Sequence, residues 1–250
     1  MNYPPRTAML LAAGIGQRMR PLTEHTAKPL LTLGGRPLID HALDHLAAAG
    51  VQTVAVNAFW QGERVAAHLA SRSAAGTPPR TVLRPESVLL DTGAGTRAAL
   101  DTLGPDPFYV VNGDAFWLNG THPALLRLAD AFDAAGDGGL DGVLLVHRTF
   151  QVHADVGFGD FAVDPWGNLR RRREREVVPY VYAGVQLIAP ALLDAMPEGP
   201  FSMNRAWDRA MEAGRLRAVV HDGLWFHLST PSDLADAESV LQARLTGETR

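Results

Sequence analysis

The 250-residue chain contains no cysteine, which excludes disulfides, thiolate metal ligands and a cysteine nucleophile. It also has no apolar run near the ~20 residues that a membrane helix needs, and the apolar stretch within residues 1–14 is too short for a signal peptide. We therefore expect a cytoplasmic protein with no membrane partner. The formal net charge of −4 lacks the basic excess of a general nucleic-acid binder, so we expect no nucleic-acid partner either.

Hydrophobic residues make up 46% of the chain, enough to bury one full core in a domain of this size. Short β-rich runs alternate with helical runs in the first half. Strands are predicted over residues 7–13, 51–59, 81–85 and 108–112, and helices over 37–49, 61–71 and 96–103. This alternation predicts an α/β fold, with a Rossmann-like, mostly parallel sheet covered by helices on both faces.

After about residue 150 the pattern changes to hairpin-like runs. Residues 158–164 and 180–188 read as strands, and a turn is predicted at 165–168. We interpret this segment as a small β-rich subregion of one domain spanning residues 1–250. The chain closes with a helix for which Thr230 is the predicted N-cap, Pro231 the first residue and Asp233 a favourable charge near the helix start.

A glycine turn with two cations follows the first predicted strand. Gly14 and Gly16 allow backbone N–H groups to approach anionic oxygens, and Arg18 and Lys28 can neutralise the charge that those amides hold. Two common phosphate loops are excluded, because Met19 stands where a dinucleotide fingerprint needs its third glycine and no Gly-Lys-Ser/Thr triplet follows. The segment remains a candidate triphosphate site.

A carboxylate follows another predicted buried strand. Asp114 comes directly after Val110-Val111-Asn112-Gly113, at the edge of the sheet where ligands of such folds bind. Mg²⁺ prefers few carboxylates together with phosphate oxygens and water. We therefore predict that Asp114 is a magnesium ligand, with Mn²⁺ as an alternative ion.

These motifs resemble those of the sugar-1-phosphate nucleotidyltransferases, through G-x-G-x-R at Gly14, then Pro21-Leu22-Thr23 and Lys28-Pro29-Leu30. The resemblance runs from Ala8 to about Glu238. It implies that a sugar 1-phosphate attacks the α-phosphorus of a nucleoside triphosphate with release of pyrophosphate, assisted by a metal ion. It also implies that residues 1–150 bind the nucleotide and that residues 151–250 bind the sugar phosphate.

The resemblance also assigns roles to individual residues. Arg18 would hold the leaving pyrophosphate, Lys28 the transferring group and Asp114 the metal. The expected nucleotide-binding residues are Leu11, Ala12, Ala13, Gly14, Gly16, Glu86 and Gly93. The expected sugar-phosphate-binding residues are Asn112, Tyr182 and Gly184.

Two departures from the family pattern stand out. A second metal-binding aspartate is expected in a Trp-x-Asp-[Val/Ile]-Gly-Thr segment, but here His227 and Ser229 replace the aspartate and the glycine. His227 is either a metal ligand suited to Mn²⁺ or Zn²⁺, or a hydrogen-bond partner of a phosphate beside an ion held by Asp114. A Glu-Lys-Pro triplet is also absent, and the arginines of residues 170–175 are either a replacement or a solvated hairpin face.

Within the family, the motifs are most similar to those of members that join UTP to N-acetylmuramate 1-phosphate in peptidoglycan recycling. Mannose-1-phosphate guanylyltransferases share nearly all of them. A catalytically impaired regulatory protein that binds a nucleotide sugar is an alternative of another class, motivated by His227. Zinc hydrolysis through His41 and His45 is a further alternative, although the glutamate of that motif is missing.

Overall fold

The protein is described by a computed structural model that covers residues 4–136, 139–152 and 154–246. Its strands are β1 Thr7–Leu11, β2 Thr32–Leu33, β3 Arg36–Pro37, β4 Thr53–Ala58, β5 Arg80–Pro85, β6 Phe108–Asn112, β7 Phe116–Leu118, β8 Gly142–Arg148, β9 Phe161–Val163, β10 Leu169–Arg171, β11 Tyr180–Ile188, β12 Leu216–Val220 and β13 Leu224–Phe226. Its α-helices are α1 Leu38–Ala48, α2 Gly62–Ala74, α3 Asp91–Arg97, α4 Leu100–Leu103, α5 Ala124–Asp133, α6 Met203–Glu212 and α7 Pro231–Thr246.

The central sheet runs in the order β12-β8-β11-β6-β1-β4-β5. The neighbours β5, β4, β1 and β6 are all parallel, and β12 is parallel to β8. β11 runs antiparallel to both of its neighbours, β6 and β8. The predicted mostly parallel sheet is confirmed, and the parallel strands place their carboxyl ends along one edge.

Helices cover both faces of this sheet, as predicted. One apolar layer holds Ile39 of α1, Val65 of α2 and Leu128 of α5 against the strands. The opposite layer is built largely by α3, α4 and α6, with Leu103 and Met203 among its fully or nearly buried members. Two buried apolar faces explain why the central strands read as continuous hydrophobic runs.

The hairpin expected after residue 150 is present as β9 and β10, which pair antiparallel and join β11 at its first residue. The turn between them is held by Asp164, whose carboxylate accepts hydrogen bonds from the backbone amides of Trp166 and Asn168. The sequence interpretation did not include β8, α5, α6 or β12. Within the described residues, every helix is too short or too polar to cross a lipid bilayer.

The helix predicted over 96–103 has the wrong boundaries. α3 begins five residues earlier, at Asp91, and the helical path is interrupted between α3 and α4. The early start depends on a distant segment, because the Phe201 carbonyl accepts hydrogen bonds from the amides of Gly93 and Ala94 and Thr92 accepts one from the Met203 amide. Tertiary contacts thus set this helix start, which local sequence signals did not reveal.

Candidate active site

A cleft of about 880 Å³ lies beyond the carboxyl ends of the parallel strands. Predicted site residues supply much of its lining: Leu11, Ala13, Gly14, Gly16, Arg18, Lys28, Glu86, Asn112 and Asp114. Loops after β1, β5 and β6 bring these side chains together from distant parts of the chain. The location agrees with the rule that ligands of open α/β sheets bind outside the carboxyl ends of the strands.

The glycine turn after β1 forms one wall of the cleft. Gly16 has a left-handed backbone (φ 67°), and a Cβ there would lie 3.0 Å from Cγ2 of Thr23 and 3.2 Å from Cβ of Lys28. The Thr23 hydroxyl donates to the Gly16 carbonyl at 2.8 Å, and the Trp60 indole donates to the Thr23 carbonyl at 2.9 Å. This turn therefore needs glycine, and it folds back to place Lys28 beside the cleft.

Lys28 and Asp114 form an ion pair at the cleft. Nζ of Lys28 donates to Oδ2 of Asp114 at 2.5 Å, and the side chains are 13% and 34% exposed. The two residues are 86 positions apart, and they meet because β1 and β6 are neighbours in the sheet. The pair combines a cation for phosphate oxygens with a carboxylate suited to a divalent ion.

Arg18 contributes a second cation to the cleft. Its side chain is exposed, and among the described residues it takes part in no hydrogen bond or ion pair. A guanidinium without a protein partner is available to bind a phosphate group in a bidentate manner. Arg18 and Lys28 supply the positive charges of the cleft lining, which also holds the carboxylates of Glu86, Asp91 and Asp114.

A buried amide that the sequence analysis missed supports this wall. Asn57, near the end of β4, accepts a hydrogen bond from the Ala12 amide at 2.7 Å and donates one to Oε1 of Glu86, also at 2.7 Å. The other Glu86 oxygen accepts from the Leu90 amide at 3.0 Å. A lone asparagine in the apolar run of residues 51–59 was the available signal. Asn57 connects the phosphate loop to the loop that follows β5.

Ala12 and Gly93, two expected nucleotide-binding residues, are not among the cleft-lining residues. The Ala12 amide is occupied by Asn57, so Ala12 fixes the loop from behind. A Cβ on Gly93 would lie 2.3 Å from the Phe201 ring, so this glycine allows α3 to pack closely against the segment before α6. Both positions have a clear packing role in this structure.

Of the expected acceptor residues, Asn112 lines the cleft, whereas Tyr182 and Gly184 of β11 are not among its lining residues. Gly184 has φ 78° at the β-bulge of this strand, and its Cβ position is 3.3 Å from Nδ2 of Asn112. Tyr182 packs edge-on against Trp207 with ring centres 4.7 Å apart, and burial raises the pKa of its hydroxyl well above the usual value.

His227 and Ser229 form a hydrogen-bonded pair at the start of α7. The ring nitrogen Nε2 of His227 and the Ser229 hydroxyl are 2.7 Å apart, and Ser229 lines the cleft. Burial lowers the pKa of His227, and the positive charges of Arg18 and Lys28 lower it further against the opposing effect of Asp233. The lowered pKa favours the neutral imidazole, which can either accept or donate at Nε2.

The predicted N-terminus of the last helix is confirmed. Thr230 accepts a hydrogen bond from the Asp233 amide at 3.2 Å, and Oδ2 of Asp233 accepts from the amides of Thr230 and Ser229 at 2.7 and 2.9 Å. These reciprocal bonds fix the backbone that carries Ser229. The Asp233 carboxylate is consequently engaged by backbone donors.

The arginines of residues 170–175 do not line the described cleft. Arg170 pairs with Glu176 through two short contacts, and this holds the pKa of the Glu176 carboxyl down at about 2. Arg171 lies over the Phe161 ring at 4.8 Å and binds Asp208 at 2.7 Å. The observed partners favour a structured hairpin face over a phosphate site.

The arrangement of His41 and His45 gives no support to zinc hydrolysis. Nε2 of His41 lies 2.9 Å from the Leu33 carbonyl, and Nε2 of His45 lies 3.1 Å from the Trp117 carbonyl. His45 also stacks on the Trp117 ring. Across residues 4–136, 139–152 and 154–246, no group of three or more His, Cys, Asp or Glu side chains is arranged to hold a metal ion.

Sequence and structure comparisons place the chain in a family. The MobA-like NTP transferase domain matches residues 8–163. The chain belongs to this family. It is 38% identical to an N-acetylmuramate alpha-1-phosphate uridylyltransferase of Caulobacter vibrioides, over 96% of this chain and 99% of that protein. A protein of the same name from Neisseria meningitidis serogroup B is 31% identical over 94% of this chain and 98% of its own length.

The fold is shared with solved structures of other proteins. A UDP-glucose pyrophosphorylase complexed with UDP-glucose superposes with a TM-score of 0.77 at 14% identity, covering 96% of this chain and 99% of the other. A putative glucose-1-phosphate thymidylyltransferase from Bacillus anthracis gives 0.76 at 18% identity, covering 94% of each chain. The predicted fold class is confirmed. Together with the sequence relatives, the family match confirms a sugar-1-phosphate nucleotidyltransferase.

Proposed function

We propose that this nucleotidyltransferase joins UTP to N-acetylmuramate 1-phosphate, giving UDP-N-acetylmuramate and pyrophosphate, in the cytoplasm and as a step of peptidoglycan recycling. The observation that carries the proposal is the end-to-end similarity to two proteins with that named activity. The cleft supports it, because two cations and one carboxylate meet beyond β1 and β6, where a triphosphate and a phosphate monoester could be brought together.

The reaction requires little acid–base chemistry from the protein. An oxygen of the sugar 1-phosphate attacks the α-phosphorus of UTP, and the bond to the bridging oxygen breaks as pyrophosphate leaves with its electron pair. A phosphate monoester with a second pKa near ~6 is already largely ionised at neutral pH, so no general base is needed. Catalysis then consists of positioning and charge neutralisation.

The residues of the cleft divide this work. In our proposal Arg18 holds the leaving pyrophosphate. Lys28 exchanges its contact with Asp114 for one with the transferring α-phosphoryl group and neutralises the charge of that group. Leu11, Ala13, Gly14 and Gly16 form the wall for the triphosphate, and Glu86 orders the loop on the nucleotide side. Asn112, backed by Tyr182 and Gly184, faces the sugar phosphate. Residues 1–150 would thus supply the nucleotide half and residues 151–250 most of the acceptor half.

The metal ligands that the cleft offers suit Mg²⁺, which needs few protein ligands, better than a metal ion coordinated by protein side chains alone. Asp114 offers a partly exposed carboxylate at the cleft, and a Mg²⁺ ion typically combines one or two carboxylates with phosphate oxygens and water. Asp114 would hold the ion. When bound, the ion supplies charge neutralisation to the α-phosphate and the attacking oxygen.

A substrate grid tests the proposal. Pyrophosphate release is measured for UTP, GTP, CTP, dTTP and ATP against N-acetylmuramate 1-phosphate, mannose 1-phosphate and glucose 1-phosphate, each with Mg²⁺ and with Mn²⁺. The highest kcat/KM is expected for UTP with N-acetylmuramate 1-phosphate. A preference for GTP with mannose 1-phosphate would favour the second candidate, since a guanyltransferase of that sugar from Aspergillus fumigatus is 27% identical over 90% of this chain and 61% of its own length.

Two substitutions test the assigned cations. Arg18→Ala and Lys28→Ala should each lower kcat by about 10²–10³-fold, the cost of removing one preorganised charge from a transition state. Arg20→Ala is the matched control, because Arg20 is an exposed arginine of the same loop that is not among the cleft-lining residues. Near-normal turnover of the folded Arg18 or Lys28 variant would refute its role. Nucleotide binding without pyrophosphate release from any pair in the grid would instead indicate a regulatory protein.

A further inference from the structure

The phosphate loop, residues 12–28, is held at two separate points by the chain that runs from the end of β4 into α2. At the first point, Asn57 accepts a hydrogen bond from the Ala12 amide at 2.7 Å. At the second point, the indole Nε1 of Trp60 donates to the Thr23 carbonyl at 2.9 Å. One short connection therefore reaches both the beginning and the far side of the loop.

Thr23 passes this contact on to the glycine turn. Its side chain is 1% exposed, and its hydroxyl donates to the Gly16 carbonyl at 2.8 Å. Its Cγ2 methyl group lies 3.0 Å from the position that a Cβ on Gly16 would take, so the two residues pack without a gap. Arg18 lies between Gly16 and Thr23 in the chain. A displacement of Thr23 would therefore move the turn that carries Arg18.

Gln61 fixes the other side of this connection to α2. Its carbonyl accepts hydrogen bonds from the amides of Arg64 and Val65, and the Val65 side chain is fully buried. Its side-chain amide donates to the Glu24 carbonyl at 3.3 Å. Its backbone is left-handed, with φ 53°, which a residue other than glycine rarely adopts. Backbone strain of this kind persists where the surrounding structure enforces it, often beside functional segments.

We infer that Trp60 is a positioning residue for the nucleotidyl transfer, because its indole acts through Thr23 to keep the Gly16 turn in the conformation that presents Arg18 to the phosphates. Neither Trp60 nor Thr23 is among the residues that line the cleft, so the effect passes through the loop and needs no contact with substrate. A loop that is ordered in advance loses less conformational freedom when a ligand binds. The inference rests on the proposed function for the role of Arg18.

Hydrogen exchange of the full chain without substrate measures the order of the loop. Trp60→Phe keeps an aromatic ring and removes the N–H donor. The amides of Met19 and Leu22, which donate to the carbonyls of Gly16 and Met19, should exchange about three- to tenfold faster, the effect of losing one hydrogen bond. The amides of β6 should be unaffected. Trp166→Phe is the matched control, because Trp166 is 80% exposed in the turn between β9 and β10, and it should change neither set.

Steady-state kinetics with the substrate pair that the grid selects separates positioning from loss of folded protein. In Trp60→Phe the KM for the nucleoside triphosphate should rise about three- to tenfold, while the KM for the sugar 1-phosphate stays unchanged. A smaller folded fraction would instead lower kcat and leave both KM values as they are. Thr23→Val should raise the same KM, and the double variant should lose little more than Thr23→Val alone, because Trp60 acts through Thr23.

A folded Trp60→Phe variant with wild-type exchange in the loop would overturn the inference, and so would a wild-type KM for the nucleotide. If Trp60→Phe does not fold, Thr23→Val decides in the same way, since it breaks the bond to Gly16 and leaves the indole in place. The proposed function fails separately, through the substrate grid. The exchange measurement uses no substrate, and the kinetic arm uses whichever pair reacts best.

Discussion

The donor and acceptor of the partly buried Asn57–Glu86 hydrogen bond can be exchanged to test how the cleft is held together. Asn57 is 4% exposed and connects the Ala12 amide to Oε1 of Glu86. Asn57→Asp keeps an acceptor for Ala12 but places a second carboxylate oxygen 2.7 Å from Glu86. Two full charges at that distance repel by about 6 kcal/mol at an effective dielectric constant of 20.

Proton uptake and side-chain rotation will relieve part of this repulsion, and we expect Asn57→Asp to lower the free energy of unfolding by about 3 kcal/mol. The compensating change is Glu86→Gln. In the double variant the glutamine amide donates to the aspartate, while its oxygen still accepts from the Leu90 amide. Each buried donor and acceptor is again paired, so the double variant should recover at least about 2 kcal/mol of the loss.

Urea denaturation at pH 8, where both carboxyls of the single variant ionise most readily, measures these free energies. Calorimetry measures the affinity of the cleft for UTP, which should fall in Asn57→Asp and recover in the double variant. The reasoning is refuted if Asn57→Asp has the same urea midpoint as the wild-type protein. It is also refuted if the loss of unfolding free energy in the double variant equals the sum of the losses in Asn57→Asp and Glu86→Gln. Additivity would mean that the two side chains do not depend on each other.

Two further predictions concern stability. Gly93→Ala should cost about 1–3 kcal/mol, because its Cβ would overlap the Phe201 ring, whereas Gly14→Ala has nothing within 4 Å of its Cβ and should leave the urea midpoint unchanged. Burial lowers the pKa of His147 and His221 below the ordinary value of 6.5. Their contribution to stability is therefore complete above pH 6.5 and is lost as the pH falls from there toward the folded-state pKa. The urea midpoint of unfolding should decrease as the pH is lowered from 7.5 to 5. A midpoint that does not change over this range would contradict the lowered pKa values of His147 and His221.

The parts of the fold that depend on local patterning could be predicted from the sequence. The parallel strands β1, β4 and β6 are largely apolar runs, helices separate the four parallel strands β1, β4, β5 and β6, and the Thr230 helix start carries its own capping residues. The position of β11 could not be predicted in this way. It runs antiparallel between β6 and β8, and nothing in its local composition distinguishes that placement from an edge position.

The same distinction applies to the site. Gly14, Gly16 and Arg18 lie within five residues of one another, so a single segment carries their chemistry. The link between Asn57 and Glu86 spans 29 positions and depends on the adjacency of β4 and β5. The sequence predicts a strand around Asn57, but it does not reveal the partners of this side chain, because Ala12 and Glu86 lie in loops that follow other strands.

One neighbour relation in the sheet accounts for the central feature of the cleft. β1 and β6 pair in parallel, with Leu11 beside Asn112, so the loops that follow them leave the sheet side by side. The Gly113 amide continues the pairing by donating to the Leu11 carbonyl at 2.8 Å, and a Cβ on Gly113 would lie 2.8 Å from that same oxygen. Any larger residue would separate the two loops. The close approach of Gly113 to Leu11 allows Lys28 and Asp114 to meet at 2.5 Å. The ion pair of the proposed chemistry therefore depends on the small size of Gly113.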